Sequence, residues 1–468
     1  EIYTLSLHDA LPILIESIVI CLISYILALF IVNDLSYTPI ANWVDADIRL
    51  SQYKGLILLT ALIAILTGCL AGLYPAIRST SYAPALVLKG SFGLSPKGKK
   101  VRVALIGFQY TVSIALIIVT LFMGLQNHFM TSSEQLGFNK DQVAIVNLTP
   151  EIYAKHKPQY IQKLKDYPGI EDVAFSVYEL SKEDDMIDLE YARHEDKDVF
   201  FKVFYASENF LSVMDIQVEE GRDFTREDLN KAQSDYIINP AAERDFHLHP
   251  GDRFNDRTVL GVSKDFRFNS CRIASSPFVF ALNNDIPNPK LVSYIRFNSK
   301  TNLQEAVAHV RETLKEIDPT FPFEISFYNT ILNNLYQKEQ TLGKLISLFG
   351  IMAILISIVG VFGLVLFETQ YRRKEIGIRK INGATTGQIL LMFNKTYIRI
   401  VSVCFIISIP IAWMGTQQWL ENFAYKTPLH LWVFIVAFLI ILSVTIGTVT
   451  FRNWQAANEN PVNSVKSE

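Results

Sequence analysis

The 468 residues contain no phosphate-cradling GxxxxGK[ST] segment. That excludes the glycine-rich amide nest and lysine with which P-loop enzymes hold ATP, so nucleotide hydrolysis is not expected of this chain itself. Cysteine is scarce and scattered, at Cys21, Cys69, Cys271 and Cys404, with no CxxC and no zinc-type spacing. Three of the four lie in apolar runs, where a free thiol behaves as a small hydrophobe. Only Cys271 falls in polar sequence, which leaves that region without an internal disulfide. Charge of one sign is lacking too: the formal net charge is −3, which gives no overall basic field for a nucleic acid. No Ser/His/Asp or Cys/His set stands out, no metal or cofactor motif is present, and the chain is not read as an enzyme.

What is abundant is apolar sequence. Hydrophobic residues make up 50% of the chain and the mean hydropathy is +0.22, which fits several membrane spans plus one large water-exposed domain. Six runs are long enough to span: Leu14–Val32, Leu56–Tyr74, Val103–Leu125, Leu345–Phe367, Ile398–Met414 and Leu431–Phe451. The fifth is short and carries Pro410, so it is kinked or extends to Trp419. Away from their ends the runs hold no Asp, Glu, Lys, Arg or His. Ion-coupled carriers need ionisable groups at membrane depth, so the pattern favours a machine powered from outside the membrane. The opening residues 1–13 resemble translated sequencing-adapter sequence and are set apart from the fold as non-native; an ordinary internal fragment start is the alternative.

Basic residues set the sidedness. Arg78, Lys89, Lys97, Lys99, Lys100 and Arg102 lie between runs two and three, and Arg372, Arg373, Lys374, Arg379 and Lys380 between runs four and five. The positive-inside rule puts both loops in the cytoplasm and residues 129–338 outside. That outer segment reads as two βαβ-like units. One has strands Gln142–Leu148 and Val173–Val177 around a helix Lys157–Asp166; the other has strands Leu291–Phe297 and Phe323–Phe327 around a helix Leu303–Ile317. They bracket a central part with strands Val199–Tyr205, Tyr236–Ile238 and Thr258–Val262. The fold class is therefore an α-helical membrane protein of about six transmembrane helices with one extracytoplasmic α+β domain, a split βαβ unit plus an inserted subdomain. A continuous helix over 329–369, about 60 Å long, would form a stalk; a hinge at Gly343 is the alternative.

Within the basic loop, Asn382-Gly383 ends a short helix with a left-handed cap. Thr385-x-x-Gln388 reads as a capping box for the next helix. Gly68-x-x-x-Gly72 is either a close packing face or ordinary membrane glycine. His247-x-His249 with Asp245 reads as a solvated turn before Pro250-Gly251 rather than a metal site, and Lys264, Asp265 and Arg267 as strand-end charges. Ala71–Gly90 repeats in Thr448–Ser467: each has an aromatic, an Ala/Ser-rich stretch, a Pro and an apolar-to-Lys ending.

KEIGIRKINGAT at Lys374–Thr385 closely resembles the cytoplasmic motif of FtsX-like ABC transporter permeases. NFLSVMDIQVEEGRDFTRED at Asn209–Asp228, followed by GVSKDFRF at Gly261–Phe268, resembles the MacB-like periplasmic core domain. YPAIRSTSYAPALVLKG and NENPVNSVKS look like the two domain ends of the duplicated, Bacteroidetes-type form, here N-terminally truncated. The second ending, NWQAAN, departs from the form that the first keeps at Tyr74–Arg78.

The resemblance implies a division into 1–13 (adapter-like), 14–90 (end of a first FtsX-like permease domain), 91–128 (linker and transmembrane helix), 129–338 (MacB-like core) and 339–468 (second FtsX-like domain). It implies a multi-pass protein of the cell inner membrane with its large domain in the periplasm. A separate cytoplasmic ABC ATPase subunit would grip Lys374, Glu375, Ile376, Gly377, Ile378, Arg379, Lys380, Gly383 and Ala384, with Ile376 and Ile378 as buried contacts and Arg379 and Lys380 meeting carboxylates or lipid phosphates. It further implies export or efflux of a peptide, antibiotic or lipoprotein, a dimer or pseudo-dimer of permease halves, and a periplasmic adaptor with an outer-membrane channel. The alternative is a non-transporting regulator of a cell-wall hydrolase or sensor partner.

Overall fold

The computed structural model describes residues 7–38, 52–80, 96–132, 136–181, 188–231, 233–267, 269–282 and 291–457. The Pro-to-Lys endings of the repeat, at 84–89 and 461–466, lie outside them. In chain order the elements are α1 (Leu7–Leu35), α2 (Lys54–Thr80), α3 (Pro96–Thr131), β1 (Val143–Leu148), α4 (Lys157–Lys165), β2 (Ile170–Ser176), β3 (Asp188–His194), β4 (Lys197–Ala206), α5 (Phe210–Met214), β5 (Val218–Gly221), β6 (Tyr236–Ile238), α6 (Pro240–Phe246), β7 (Arg253–Phe254), β8 (Arg257–Ser263), β9 (Phe278–Leu282), β10 (Leu291–Phe297), α7 (Leu303–Ile317), β11 (Ile325–Phe327), α8 (Tyr328–Leu335), α9 (Gln337–Tyr371), α10 (Arg373–Ile381), α11 (Thr386–Leu420) and α12 (Leu431–Ala457). The described residues fall into two compact units, one within 1–121, 341–414 and 430–468, the other within 122–340 and 415–429.

Among the described residues six helices, α1, α2, α3, α9, α11 and α12, are long and apolar enough to cross a membrane. In the first unit α1 and α2 pair closely. A Cβ added at Gly68 would come within 2.8 Å of the Ile18 Cα, and one at Gly72 within 2.9 Å of Ser17, so these glycines form a packing face. Tyr25 Oη also donates to the Ile57 carbonyl across the pair at 2.6 Å. Three others, α9, α11 and α12, pack around α3. Tyr110 of α3 bonds Thr445 of α12 at 2.9 Å, Ser113 bonds Ser357 of α9 at 3.1 Å, and a Cβ at Gly107 would touch the Cys404 thiol of α11 at 3.6 Å. These short hydroxyl contacts let helices approach without placing charge in lipid. The fifth apolar run extends rather than ending at its proline: α11 is continuous with Pro410 inside it.

In the second unit, strand order explains why the two βαβ units read separately in sequence. The sheet runs β11-β1-β10-β2-β4-β9-β6-β8-β5, with β3 on β4 and β7 on β8. β1 pairs antiparallel with both β10 and β11, and β10 pairs antiparallel with β2. Each βαβ unit therefore leaves a gap that a strand of the other fills. β10 is buried on both sides, and its alternation sorts its residues between two cores. Leu291, Ile295 and Phe297 face the core under α4 and α7. Val292 and Tyr294 face the opposite core, with Phe204, Phe210, Phe278 and Phe280. Ala306, Val310 and Leu314 line the apolar stripe by which α7 meets its face.

The central strands are not a separate sheet. They continue the first one through a single pair, Ser176↔Ala206. The continuous helix over 329–369 is not formed either. It breaks at Tyr336 (φ −109, ψ 16), between α8 and α9. The Tyr336 ring is 1% exposed and its hydroxyl accepts the Cys271 amide at 3.0 Å, a contact 65 residues away in the chain. Gly343 lies inside α9, so the hinge is not there. α9 alone has 35 residues, about 52 Å at 1.5 Å per residue, longer than a hydrocarbon core of about 30 Å.

Candidate coupling site

The basic loop folds as a helical unit. α9 and α10 meet at an elbow at Arg372 (φ −93, ψ 13). The Arg372 amide still donates to the Glu368 carbonyl at 3.0 Å, and its carbonyl accepts Ile376 at 2.9 Å, so little hydrogen bonding is lost. At the far end Gly383 takes φ +89. Its amide donates to the Lys380 carbonyl and that of Ala384 to the Arg379 carbonyl, both at 3.0 Å. Those two bonds are the Schellman pattern, in which a left-handed glycine turns the chain while capping orphan carbonyls. The Thr385 amide then donates to Gln388 Oε1 at 3.1 Å and the Gln388 amide to Thr385 Oγ1 at 3.3 Å. This reciprocal capping box starts α11.

The predicted residues divide between two environments. Ile376 is 4% exposed and Gly377 is buried, both inside the chain's own fold. Ile378, by contrast, is 55% exposed, and Ile381, one turn on, 67%. Only one of the two predicted apolar contacts is therefore open to a partner, and Ile381 joins it. Arg379 Nη2 donates to Glu375 Oε1 at 2.8 Å, and Arg372 lies 3.9 Å from the same carboxylate. Lys380 and Ala384 are half-buried and Gly383 is exposed; the side chain of Lys374 lies outside those described.

Sequence reasoning missed the polar ties that join α9, α11 and α12 beside this unit. Glu368 and Tyr397, Thr369 and Asn453, and Asn394 and Thr450 pair at 3.3, 2.7 and 2.9 Å. Their signal was a polar residue near the end of each apolar run. Which helices face each other is not written in the sequence.

In the outer domain the segment GRDFTRED closes on itself. Arg222 Nη1 and Nη2 donate to Asp228 at 2.7 and 2.9 Å, the Thr225 amide and hydroxyl add 2.9 and 2.8 Å, and Lys231 lies at 2.9 Å. Arg222 above all, helped by Lys231 and Thr225, holds the Asp228 carboxyl far below the usual carboxylate range. GVSKDFRF is only partly a strand end. Lys264 and Asp265 are exposed as expected, but Phe266 is 1% exposed and Arg267 stacks 4.1 Å over the Tyr425 ring. The 415–429 segment is thereby built into this unit. Gln126, wholly buried, donates to the Tyr425 carbonyl at 3.0 Å and accepts from the Thr427 amide at 2.8 Å, while Arg272 Nε donates to Glu339 at 2.7 Å. His247 sits at a left-handed helix cap (φ 54) and Asp245 pairs with Arg244. His249 lies 3.6 Å from Glu243, in a group with Glu220 whose ligand atoms lie within 4.8 Å of one another.

Residues 347–461, which hold this helical unit, match the family model described as FtsX-like permease C-terminal. A macrolide export ATP-binding/permease protein MacB of Aggregatibacter actinomycetemcomitans is 25% identical over 212 residues, 42% of this chain and 32% of that protein. A MacB of Neisseria gonorrhoeae is 25% identical over 223 residues, 45% of this chain and 34% of its own length. The chain thus spans about a third of the length of these curated relatives. The crystal structure of the periplasmic region of MacB from Actinobacillus actinomycetemcomitans aligns at 15% identity with a TM-score of 0.32, covering 44% of this chain and 97% of that one. The extracellular domain of the noncanonic ABC-type transporter YknZ aligns at 16% with a TM-score of 0.29, covering 39% and 98%. Through the 347–461 match and the MacB relatives, the chain is similar to FtsX/MacB-like permeases.

Proposed function

We propose that the chain is the transmembrane subunit of an ABC transporter that couples ATP hydrolysis on a separate cytoplasmic subunit to movement of its outer domain. The observation that carries this reading is the capped helix α10, inside the matched 347–461 segment, with Ile378 and Ile381 exposed on one face. Apolar residues three apart on a short rigid helix form a compact anchor of the kind a partner groove takes. Arg379 and Lys380 supply the charged rim. The protein would sit in the cell inner membrane with its large domain in the periplasm, and the work would be export or efflux of a peptide, antibiotic or lipoprotein, with an adaptor and an outer-membrane channel as further partners. Residues 14–90 and 339–468 would be portions of two permease halves that form a pseudo-dimer, and 129–338 the MacB-like core.

Affinity purification of the full chain from its native membrane tests the reading. A protein carrying a P-loop motif should co-purify, and Ile378→Arg or Ile381→Arg should remove it while leaving the permease in the membrane. Full retention of the ATPase with both changes would sink the coupling assignment.

A further inference from the structure

Glu368 is a carboxylate in the last turn of α9, directly after the apolar run Leu345–Phe367, and only 8% exposed. A buried charge is retained only where it is paired and hydrogen-bonded. Here the two oxygens reach two different elements. Oε2 accepts from the Tyr397 hydroxyl of α11 at 3.3 Å, and Tyr397 is itself 1% exposed. Oε1 accepts from Arg372 Nη2 at 3.3 Å. Arg372 is the elbow residue before α10, its guanidinium lies 5.9 Å from the Phe393 ring of α11, and it approaches Glu375 in the first turn of α10. One carboxylate thus links the end of α9, the body of α11 about three turns in, and the start of the exposed helix α10. The next residue, Thr369, makes a different tie, to Asn453 of α12 at 2.7 Å.

We propose that Glu368 is the positioning residue that fixes α10 against the membrane helices, so that a load applied to α10 is delivered to α9 and α11 together. This rests on the coupling reading only for what applies the load. The tie is a property of the free chain and can be tested without any partner.

The test is limited trypsin digestion of the detergent-solubilised full chain, scoring by mass spectrometry the rate of cleavage after Arg379 and Lys380. Cleavage inside a helix follows its local opening. Glu368→Ala should speed it about tenfold, and Tyr397→Phe in the same direction by less. Glu368→Gln, which keeps an acceptor for Tyr397 but loses the charge facing Arg372, should fall between wild type and Glu368→Ala. Thr369→Val, which removes the neighbouring tie from the same helical turn, should leave the rate within about twofold of wild type. A wild-type rate in Glu368→Ala would overturn the proposal, as would equal acceleration by Thr369→Val, which would mark general loosening of the helix end. Should Glu368→Ala fail to accumulate, Tyr397→Phe and Glu368→Gln decide, and wild-type rates in both overturn it. Because no ATPase is present, failure here leaves the partner assignment standing, and loss of that assignment leaves this result standing.

Discussion

Asp228 in the outer domain and Glu368 beside α10 both bury a carboxylate against an arginine, but the two sites are finished differently. Asp228 takes two bonds from Arg222, two from Thr225 and one ion pair from Lys231, all between 2.7 and 2.9 Å. Glu368 shows bonds of 3.3 Å from Tyr397 and Arg372. A saturated carboxylate resists any displacement, because every lone pair would have to be paired again. Glu368 instead reaches partners on separate elements, Tyr397 of α11 and the elbow residue Arg372. The Asp228 carboxylate closes one local segment on itself, whereas the Glu368 carboxylate ties separate helices together beside the candidate coupling unit.

That contrast is open to attack in order of expected size. Asp228→Asn should lower the local stability of β5 and β8 by about 2 kcal/mol, since it removes charge-assisted hydrogen bonds at a buried carboxylate while Arg222 and Lys231, half-exposed, stay solvated. Hydrogen exchange of Val218–Gly221 reads this, and a loss as small as at a surface pair, under about 1 kcal/mol, would break the comparison. Acid is the next lever. The folded pKa of Asp228 is depressed by Arg222, so its contribution is fully present above the unfolded value of about 3.9 and is lost as pH falls below it. Exchange protection of β5, corrected for intrinsic rate, should therefore fall below about pH 4 in wild type, by about 2 kcal/mol at the acid end. Asp228→Asn should flatten that fall. Gly383→Ala should cost α10 about 1.5 kcal/mol, because φ +89 disfavours any Cβ while the space around it is open. Thr385→Ala should cost about 1 kcal/mol through the lost capping box. Both show as faster exchange of the 376–388 amides, and neither should reach the outer domain.

Much of this molecule was legible where local pattern decides. β10, β6 and α7 fall on the residues their periodicity predicts, and the glycine cap and the Thr385–Gln388 box formed as their chemistry requires. β9 was not legible: Phe278–Leu282 is buried at all five positions, so no alternation marks it as a strand. The edges β3 and β5 lacked an apolar signal of strand length. The break at Tyr336 falls where the residue packs against the sequence-distant Cys271, which no local pattern marks, and the role of Arg267 was hidden because its stacking partner Tyr425 lies in a segment between two membrane helices. At the candidate site, the caps came from sequence. The outward face of Ile378 and Ile381 and the inward face of Ile376 came only from the packing of α10.

Under the proposed function, α10 is the element an ATPase grips. A photo-cross-linking residue at position 378, in the full chain in its native membrane, tests this most directly. The account predicts a cross-link to a P-loop ATPase that is lost when the probe is moved to buried position 376. Cross-links from position 378 to lipid or to the chain itself, with no ATPase among them, would contradict it.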